Sequence, residues 1–493
     1  MTTRRPALLP LALATALTGC MVGPHYAGPP DAAPRAAKAA SFARAGDMPV
    51  APQPPVAHWW ESLGDPTLSA IEQRALAANP DLAAAEARLR QARASLREQK
   101  ANLLPKASPT AAYAHARFPG LNIGNSNSGD SSSGSTDVDL YNLGFDASWE
   151  VDLFGGQHRA VEAARATAES AEANIADAQV SLTAEVAQAY VNVRDRQRRI
   201  ALSRRSVAMQ EQMLALTQQR YQRGTASRLD VERLSQQLDS TRADVTPLNA
   251  ERDAYLDELA TLTGDEPGAL DASLAVGDTT VPLPLPPAEV AIGDPAAMLR
   301  RRPDIRAAER TLAADTAKIG QAEAARFPRL SFMGIVGLGG TSPSDLTHLD
   351  DFTALVAPQI SWSFLDFGRN AAKVKQAEGV RDEAEAQYRS TVLAALRDAE
   401  DSLSRFRNRR MTVATLARAK ASADEAATLS RQRYAAGTTT LIDLLDTQRQ
   451  QIEAEQSLSI AEAGLTGDFV AIQKALGLGW GPPEGNPGQT GNR

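Results

Sequence analysis

The chain has 493 residues, a formal net charge of −7 and only 5% aromatic residues. Arginines alternate with acids along alanine-rich segments, which is the pattern of a solvated helix face and excludes a basic nucleic-acid stripe. The lone cysteine, Cys20, excludes an intrachain disulfide, and the five scattered histidines show no metal-ligand spacing.

Arg4 and Arg5, the apolar run 7–16 and Leu17-Thr18-Gly19-Cys20 read as a lipoprotein signal over residues 1–19, with Cys20 acylated (a palmitate site) at the mature N-terminus. Buried acyl chains contribute about 0.8 kcal/mol per CH₂. By resemblance to bacterial lipoproteins, Met21 rather than Asp after the cysteine implies the outer membrane over the inner. Residues 20–57, rich in Pro, Ala and Gly, are expected to form an extended tether. Downstream, no apolar run reaches the roughly 18 residues of a membrane helix, so any span must use strands.

The remainder is a tandem duplication. Pro80-Asp81-Leu82 returns as Pro303-Asp304-Ile305 and Pro105 as Pro328, an offset of 223; Trp149, Phe154 and Tyr221 return as Trp362, Phe367 and Tyr434, an offset of 213. The ten-residue slip falls in the Ser/Gly/Asn tract 122–135. The first copy covers 58–262, with a helix over 66–103, strands over 107–118 and 137–152, and helices over 156–223 and 227–262. A linker over 263–295 follows. The second copy covers 296–476, with a helix over 296–325, strands over 328–340 and 352–366, and helices over 368–435 and 440–476. Residues 477–493 read as a disordered tail.

From Tyr141 to Asp152 every odd position is apolar (Tyr141, Leu143, Phe145, Ala147, Trp149, Val151) and every even one small or polar. That alternation predicts a strand with one lipid-facing and one wet side. Tyr141, Trp149 and Trp362 are candidate interfacial aromatics. The segment after Gln157 carries a seam of Val161, Ala164, Ala168, Ala171, Ile175, Ala178 and Leu182, a coiled-coil pattern on a helix about 100 Å long. Gly224 and Gly437 end the long helices, so each copy closes in a helical hairpin tipped by Tyr-x-x-Gly-Thr.

The lipobox, Met21-Val22-Gly23-Pro24, Trp59-Trp60, Asn79-Pro80-Asp81-Leu82, Trp149-Glu150-Val151-Asp152-Leu153-Phe154-Gly155 and Arg301-Arg302-Pro303-Asp304-Ile305 together resemble the TolC-like outer-membrane factors, in particular the lipoprotein branch serving multidrug efflux. The resemblance implies a membrane α+β fold in which three chains close a 12-stranded barrel continued by a helical barrel. Its implied partners are two further copies, a periplasmic adaptor, an RND-type inner-membrane pump and outer-membrane lipid, with no cofactor and no enzymatic chemistry. It places a periplasmic aperture at Asp443 and Asp446 with Leu441 and Leu445, and a latch at Asp230 and Tyr434. Thr439 stands where TolC has a latch arginine. The tips around Tyr221, Gly224, Gly437 and Thr438 would contact the adaptor. Helix-capping acids are the plainer reading of Asp443 and Asp446. A type I secretion duct and a lipid-tethered, non-conducting coiled-coil spacer are the alternative functions. Residues 334–340 mimic a dinucleotide loop but precede no helix, and read as strand.

Overall fold

The computed structural model describes residues 21–481 except 47, 52–53, 120–134, 277–281, 348–349 and 351. The signal, Cys20 and nearly all of the 122–135 tract therefore lie outside the described residues. Eight helices are named here: α1 (Pro66–Ala78), α2 (Pro80–Ala101), α3 (Gly156–Gln222), α4 (Arg228–Leu262), α5 (Pro295–Arg301), α6 (Pro303–Ala324), α7 (Arg369–Ala435) and α8 (Leu441–Ala475). The duplication extends to their lengths. α2 and α6 have 22 residues each, α3 and α7 67, and α4 and α8 35.

The helix expected over 66–103 is broken at Asn79, and that over 296–325 at Arg302, because the residue before a proline is pushed out of the α region. Asn79 and Arg302 both have extended ψ, 127° and 124°. The Asn79 side chain then caps α2 by accepting from the amides of Asp81 and Leu82 at 2.9 and 3.0 Å.

The chain divides into two compact units. The first (Met1–Pro30, Leu89–Ser170, Glu309–Gln387) holds a four-stranded antiparallel sheet in the order β1 (Lys106–Pro119), β2 (Ser135–Val151), β3 (Arg329–Gly340), β4 (Phe352–Ser361). β1 pairs Lys106 with Ser148, and β3 pairs Arg329 with Ser361. Those are the same rungs displaced by 223 on one strand and 213 on the other, so the repeat preserves register as well as sequence. β4 stops at Ser361, short of the expected 366, because its partner β3 begins only after Pro328, which has no N–H to donate.

Residues opposite one another share a face. One face carries the rungs Ala111/Leu143/Leu338/Phe352, Pro109/Phe145/Val336/Ala354 and Trp149/Phe332/Pro358. The other carries Ser108/Asp146, Thr110/Gly144 and Glu150/Ser331/Gln359, although Met333, Ile335 and Leu355 also lie on it. Each copy pins its strand end to the preceding helix end in one way. The Trp149 indole donates to the Leu103 carbonyl and the Trp362 indole to the Arg326 carbonyl, both at 3.0 Å.

In the same unit, residues 21–30 are not the free tether expected of them. Met21 lies against Gly155, and the Val22 amide donates to the Phe154 carbonyl at 3.2 Å. The fully buried Arg159 guanidinium donates to the carbonyls of Val22 (3.2 Å) and Gly23 (3.1 Å) and pairs with Glu162 at 2.7 Å. A Cβ on Gly23 would run into the Gly320 backbone, and one on Gly320 into the Arg159 side chain.

The second unit (Asp31–Arg88, Ala171–Ala308, Tyr388–Arg493) holds the main core, with Trp59, Trp60, Leu68, Tyr190, Leu259, Phe406 and Phe469 buried together. Trp59 meets Phe469 edge-on at 6.0 Å. Here too the tether expectation gives way. Phe42, Ala45 and Met48 are buried, the amides of Ala43 and Arg44 donate to Glu400, and Val50 bridges Val290 of the linker. Three burying side chains contribute roughly 1.5–3 kcal/mol each for large ones, enough to hold such a segment down. Between 184 and 195 α3 is buried nearly all round instead of along one seam, since Val186, Ala187, Ala189, Tyr190, Val191 and Val193 are all enclosed. The expected tail is ordered as far as Gly481. Gly477 and Leu478 close a glycine cap on α8, and Leu478 is buried in the core.

Candidate functional site

Both hairpin tips lie in the second unit and follow one design. α3 ends when Gly224 adopts φ 74°, its amide donating to Tyr221 and that of Thr225 to Arg220. α7 ends when Gly437 adopts φ 71°, its amide donating to Tyr434 and that of Thr438 to Arg433. Each is the two-bond glycine cap that satisfies the last carbonyls of a helix, and only glycine takes this φ without strain. The Thr225 and Thr438 hydroxyls add a further bond to the same Arg220 and Arg433 carbonyls, both at 3.1 Å.

The returning helices start in matching capping boxes, Ser227 with Asp230 on α4 and Thr440 with Asp443 on α8. Asp443 accepts from the Thr440 hydroxyl (2.7 Å) and amide (3.2 Å) and from the Thr439 hydroxyl (3.0 Å). These three donors, the Thr440 hydroxyl foremost, hold its carboxyl below the usual range. Asp446 accepts from Arg449 and Gln450 at 2.8 and 2.7 Å. The plainer reading of Asp443 as a capping acid therefore describes its contacts within one chain.

A groove of about 210 Å³ gathers several of the expected residues. Leu441, Leu445 and Asp446 of α8, Asp230 and Arg233 of α4, and Met209 and Gln210 of α3 all line it. Asp443, Tyr434 and Thr439 are not in its lining. Tyr434 instead meets Arg220 of the other tip, which donates to its hydroxyl and lies 5.1 Å over its ring. Sequence reading did not identify this pair. Its signal was the doubled Arg-Tyr dipeptide, Arg220-Tyr221 and Arg433-Tyr434, of which one Arg and the other Tyr join. Asp230, expected to latch beside Tyr434, is occupied in its own cap at 2.8 Å from the Ser227 hydroxyl.

In the sheet, Tyr141 and Trp149 of the expected belt lie on the apolar face, eight residues apart. Tyr141 packs against Tyr113 at 5.0 Å, and Trp149 stacks on Phe332 at 6.1 Å. Beyond Tyr113 the same face turns polar. His115 contacts Asp139 at 2.8 Å and Arg117 approaches Asp137 at 3.5 Å. From Tyr141 to Trp149 is about 26 Å along the strand at the usual rise, close to the apolar band of about 25 Å in outer-membrane barrels. Among the described residues no helix is long and apolar enough to cross a membrane, and no cluster of three His, Cys, Asp or Glu could hold a metal.

The sequence profile described as outer membrane efflux protein matches residues 71–265 and 295–478, one segment for each copy of the repeat. The chain belongs to the outer membrane efflux protein family. Among relatives of this family, the outer membrane protein OprJ of Pseudomonas aeruginosa is 31% identical over 97% of both chains. The pyoverdine export outer membrane protein OpmQ of the same species is 31% identical over 86% of this chain and 88% of its own. The solved structure of the outer-membrane channel OprN is 34% identical and superposes with a TM-score of 0.83 over 93% of this chain and 99% of OprN. The efflux-family chain thus has the fold of the TolC-like outer-membrane channels, and it is the outer-membrane channel of a tripartite efflux system. The family is one of transporters and not of enzymes.

Proposed function

We propose that three copies of this chain assemble into a lipid-anchored exit duct that passes small molecules from a periplasmic adaptor and an RND-type pump to the exterior. The observation that carries this reading is the sheet. Its one continuous apolar face is bracketed by aromatics, yet four strands leave two open edges. Open edges are not tolerated in lipid, and twelve strands from three chains remove them. Cys20, as an acylated N-terminus, would add a second hold on the membrane. The helical tips with their exposed Tyr221, Gly224, Gly437 and Thr438 form the surface offered to the adaptor.

The aperture is assigned to α8. Three copies of Asp446, in the groove beside Leu441 and Leu445, and three of Asp443 one turn earlier would form acidic rings that favour cations. Tyr434 is the latch residue, held by Arg220, with Asp230 and Thr439 keeping the two helix starts rigid. Energy comes from the pump, and the duct contributes opening and closing of its tips.

The test is conductance of the purified protein in a planar bilayer, beside a variant carrying Asp443→Asn and Asp446→Asn. Asparagine keeps an acceptor for the cap while removing the charge. Low cation-preferring conductance that loses its preference in the variant supports the aperture. An unchanged preference keeps the duct and moves the aperture elsewhere. Absence of conductance from folded protein in either form would remove the duct.

A further inference from the structure

At the end of the sheet remote from the helices, the β1–β2 ladder outruns the rest. β2 and β3 part at Tyr141/Gly340, and β3 and β4 at Leu338/Phe352. β1 and β2 run on for six rungs, from Ala114/Leu140 to Pro119/Ser135. Each chain thus raises one two-stranded arm above the rim, about 20 Å long at the usual rise. A lone ribbon of this kind is marginal in water and gains from a surface to pack on.

The faces of the arm reverse the pattern below it. Under the rim, the rungs Ala111/Leu143 and Pro109/Phe145 make the outer face apolar, and Ser108/Asp146 and Thr110/Gly144 make the inner face wet. Above the Tyr113/Tyr141 rung the outer face becomes His115/Asp139 and Arg117/Asp137, and the inner one Ala114/Leu140 and Ala116/Val138. Pairing is unbroken through the exchange, so each face continues straight on and only its chemistry changes. A polar outer face suits strands that have left the hydrocarbon. The apolar inner row has no lipid to meet, and its own chain leaves it open, since Leu140 is 48% exposed and Ala114 is exposed too. Asp345 of the β3–β4 connection lies on the other side, where a Cβ on Gly340, opposite Tyr141, would run into it.

Resting on the trimeric duct reading above, we infer that the three arms lean inward and pack their apolar rows against one another over the mouth of the pore, as a second closure at the exterior end. Their reach permits it. Twelve strands about 4.8 Å apart, tilted by about 40°, enclose a cylinder of radius roughly 12 Å, which is shorter than the arm. The same row of the other two copies is a surface of matching height and chemistry. A ring of Leu140, Val138 and alanines holds ions back by dewetting, while an apolar solute arriving from below parts it. This closure differs in kind from the acidic aperture assigned to α8, which acts through charge.

Single cysteines test the contact, because rows that meet on a threefold axis bring identical residues together. On oxidation of outer membranes, Leu140→Cys and the gentler Ala116→Cys are expected to give disulfide-linked dimers. Arg117→Cys on the outer face, and the unaltered chain with Cys20 alone, should stay monomeric under denaturing conditions. A second readout is independent of the periplasmic tips. Ser108→Cys lies six residues down the inner face from Ala114 and should react slowly with a bulky maleimide added outside intact cells. Adding Leu140→Asn and Val138→Thr should quicken that reaction several-fold. Native mass is measured on the same preparations. A trimer in which neither Leu140→Cys nor Ala116→Cys links overturns the closure and leaves the duct standing, as does labelling of Ser108→Cys that the inner-face changes do not quicken. Folded protein that is not a trimer overturns both.

Discussion

In the first copy of the repeat, Phe154 stacks on Phe327 and Gly155 lies under Met21. In the second, Phe367 is 85% exposed and a Cβ on Gly368 would meet nothing within 4 Å. The backbones around the two sites obey one rule, since ladders, indole bonds and helix ends recur at fixed offsets. What differs is the covering. The chain supplies its own cover in the first copy, and in the second it leaves Phe367 bare. The tips differ more gently. Thr439 of the second tip gives the capping acid a third donor where Ala226 of the first gives none.

The sharpest way to break this contrast is to remove the first copy's private lid. Arg159→Ala orphans the Val22 and Gly23 carbonyls and empties a buried site, so a loss on the order of 3 kcal/mol is expected. Limited proteolysis should then cut within residues 21–30, while the tips stay resistant. Phe154→Ala should cost about 2 kcal/mol in any assembly state. Phe367→Ala should leave the isolated monomer unchanged and lower only the denaturant midpoint of the trimer. Equal effects of the two on a monomer would erase the distinction.

Glu72 of α1 has no partner for either carboxylate oxygen and is fully buried, so burial pushes its pKa well up. Its folded pKa lies above the unfolded one. Stability should therefore fall by about 1.4 kcal/mol per pH unit as pH rises from the ordinary carboxylate range to the folded value, then level off. Glu72→Gln is expected to flatten that slope in pH-dependent denaturation.

Smaller still, Ser227→Ala and Thr440→Ala should each cost about 1 kcal/mol of local helix stability, read as faster amide exchange in the first turns of α4 and α8. The smallest effect is acidic. The Asp443 pKa is depressed, so its contribution is present above the unfolded value and lost as pH falls through the folded one. Amide protection at the start of α8 should accordingly persist through mild acid and fade only below the usual carboxylate range.

Much of the fold was legible in the sequence, because duplication and periodicity are local. The alternation from Tyr141 foretold β2 and its two faces, and Gly224 and Gly437 foretold both tips. Asp443 was legible as an acid at a helix start, though its three donors were not. Arg159 was hidden, since a lone arginine in an alanine-rich helix looks like any solvated charge. Its burial depends on Val22 and Gly23, more than 130 residues away. Arg220 with Tyr434 was hidden for a similar reason, the two being 214 residues apart. Residues 31–57 looked like a tether because Pro and Gly dominate them, and their few apolar residues revealed a docking site only once the core was in place.

By itself the sequence determined the repeat, the alternation of β2 and the glycine ends of the two long helices. These follow from periodicity and from backbone freedom at glycine and proline, which neighbouring residues decide among themselves. Only the tertiary structure decided which carboxylates are capped or buried, which arginine clamps the N-terminal segment, and which aromatics find a partner inside the chain. Those outcomes depend on desolvation and on contacts between distant segments, and no local pattern encodes either.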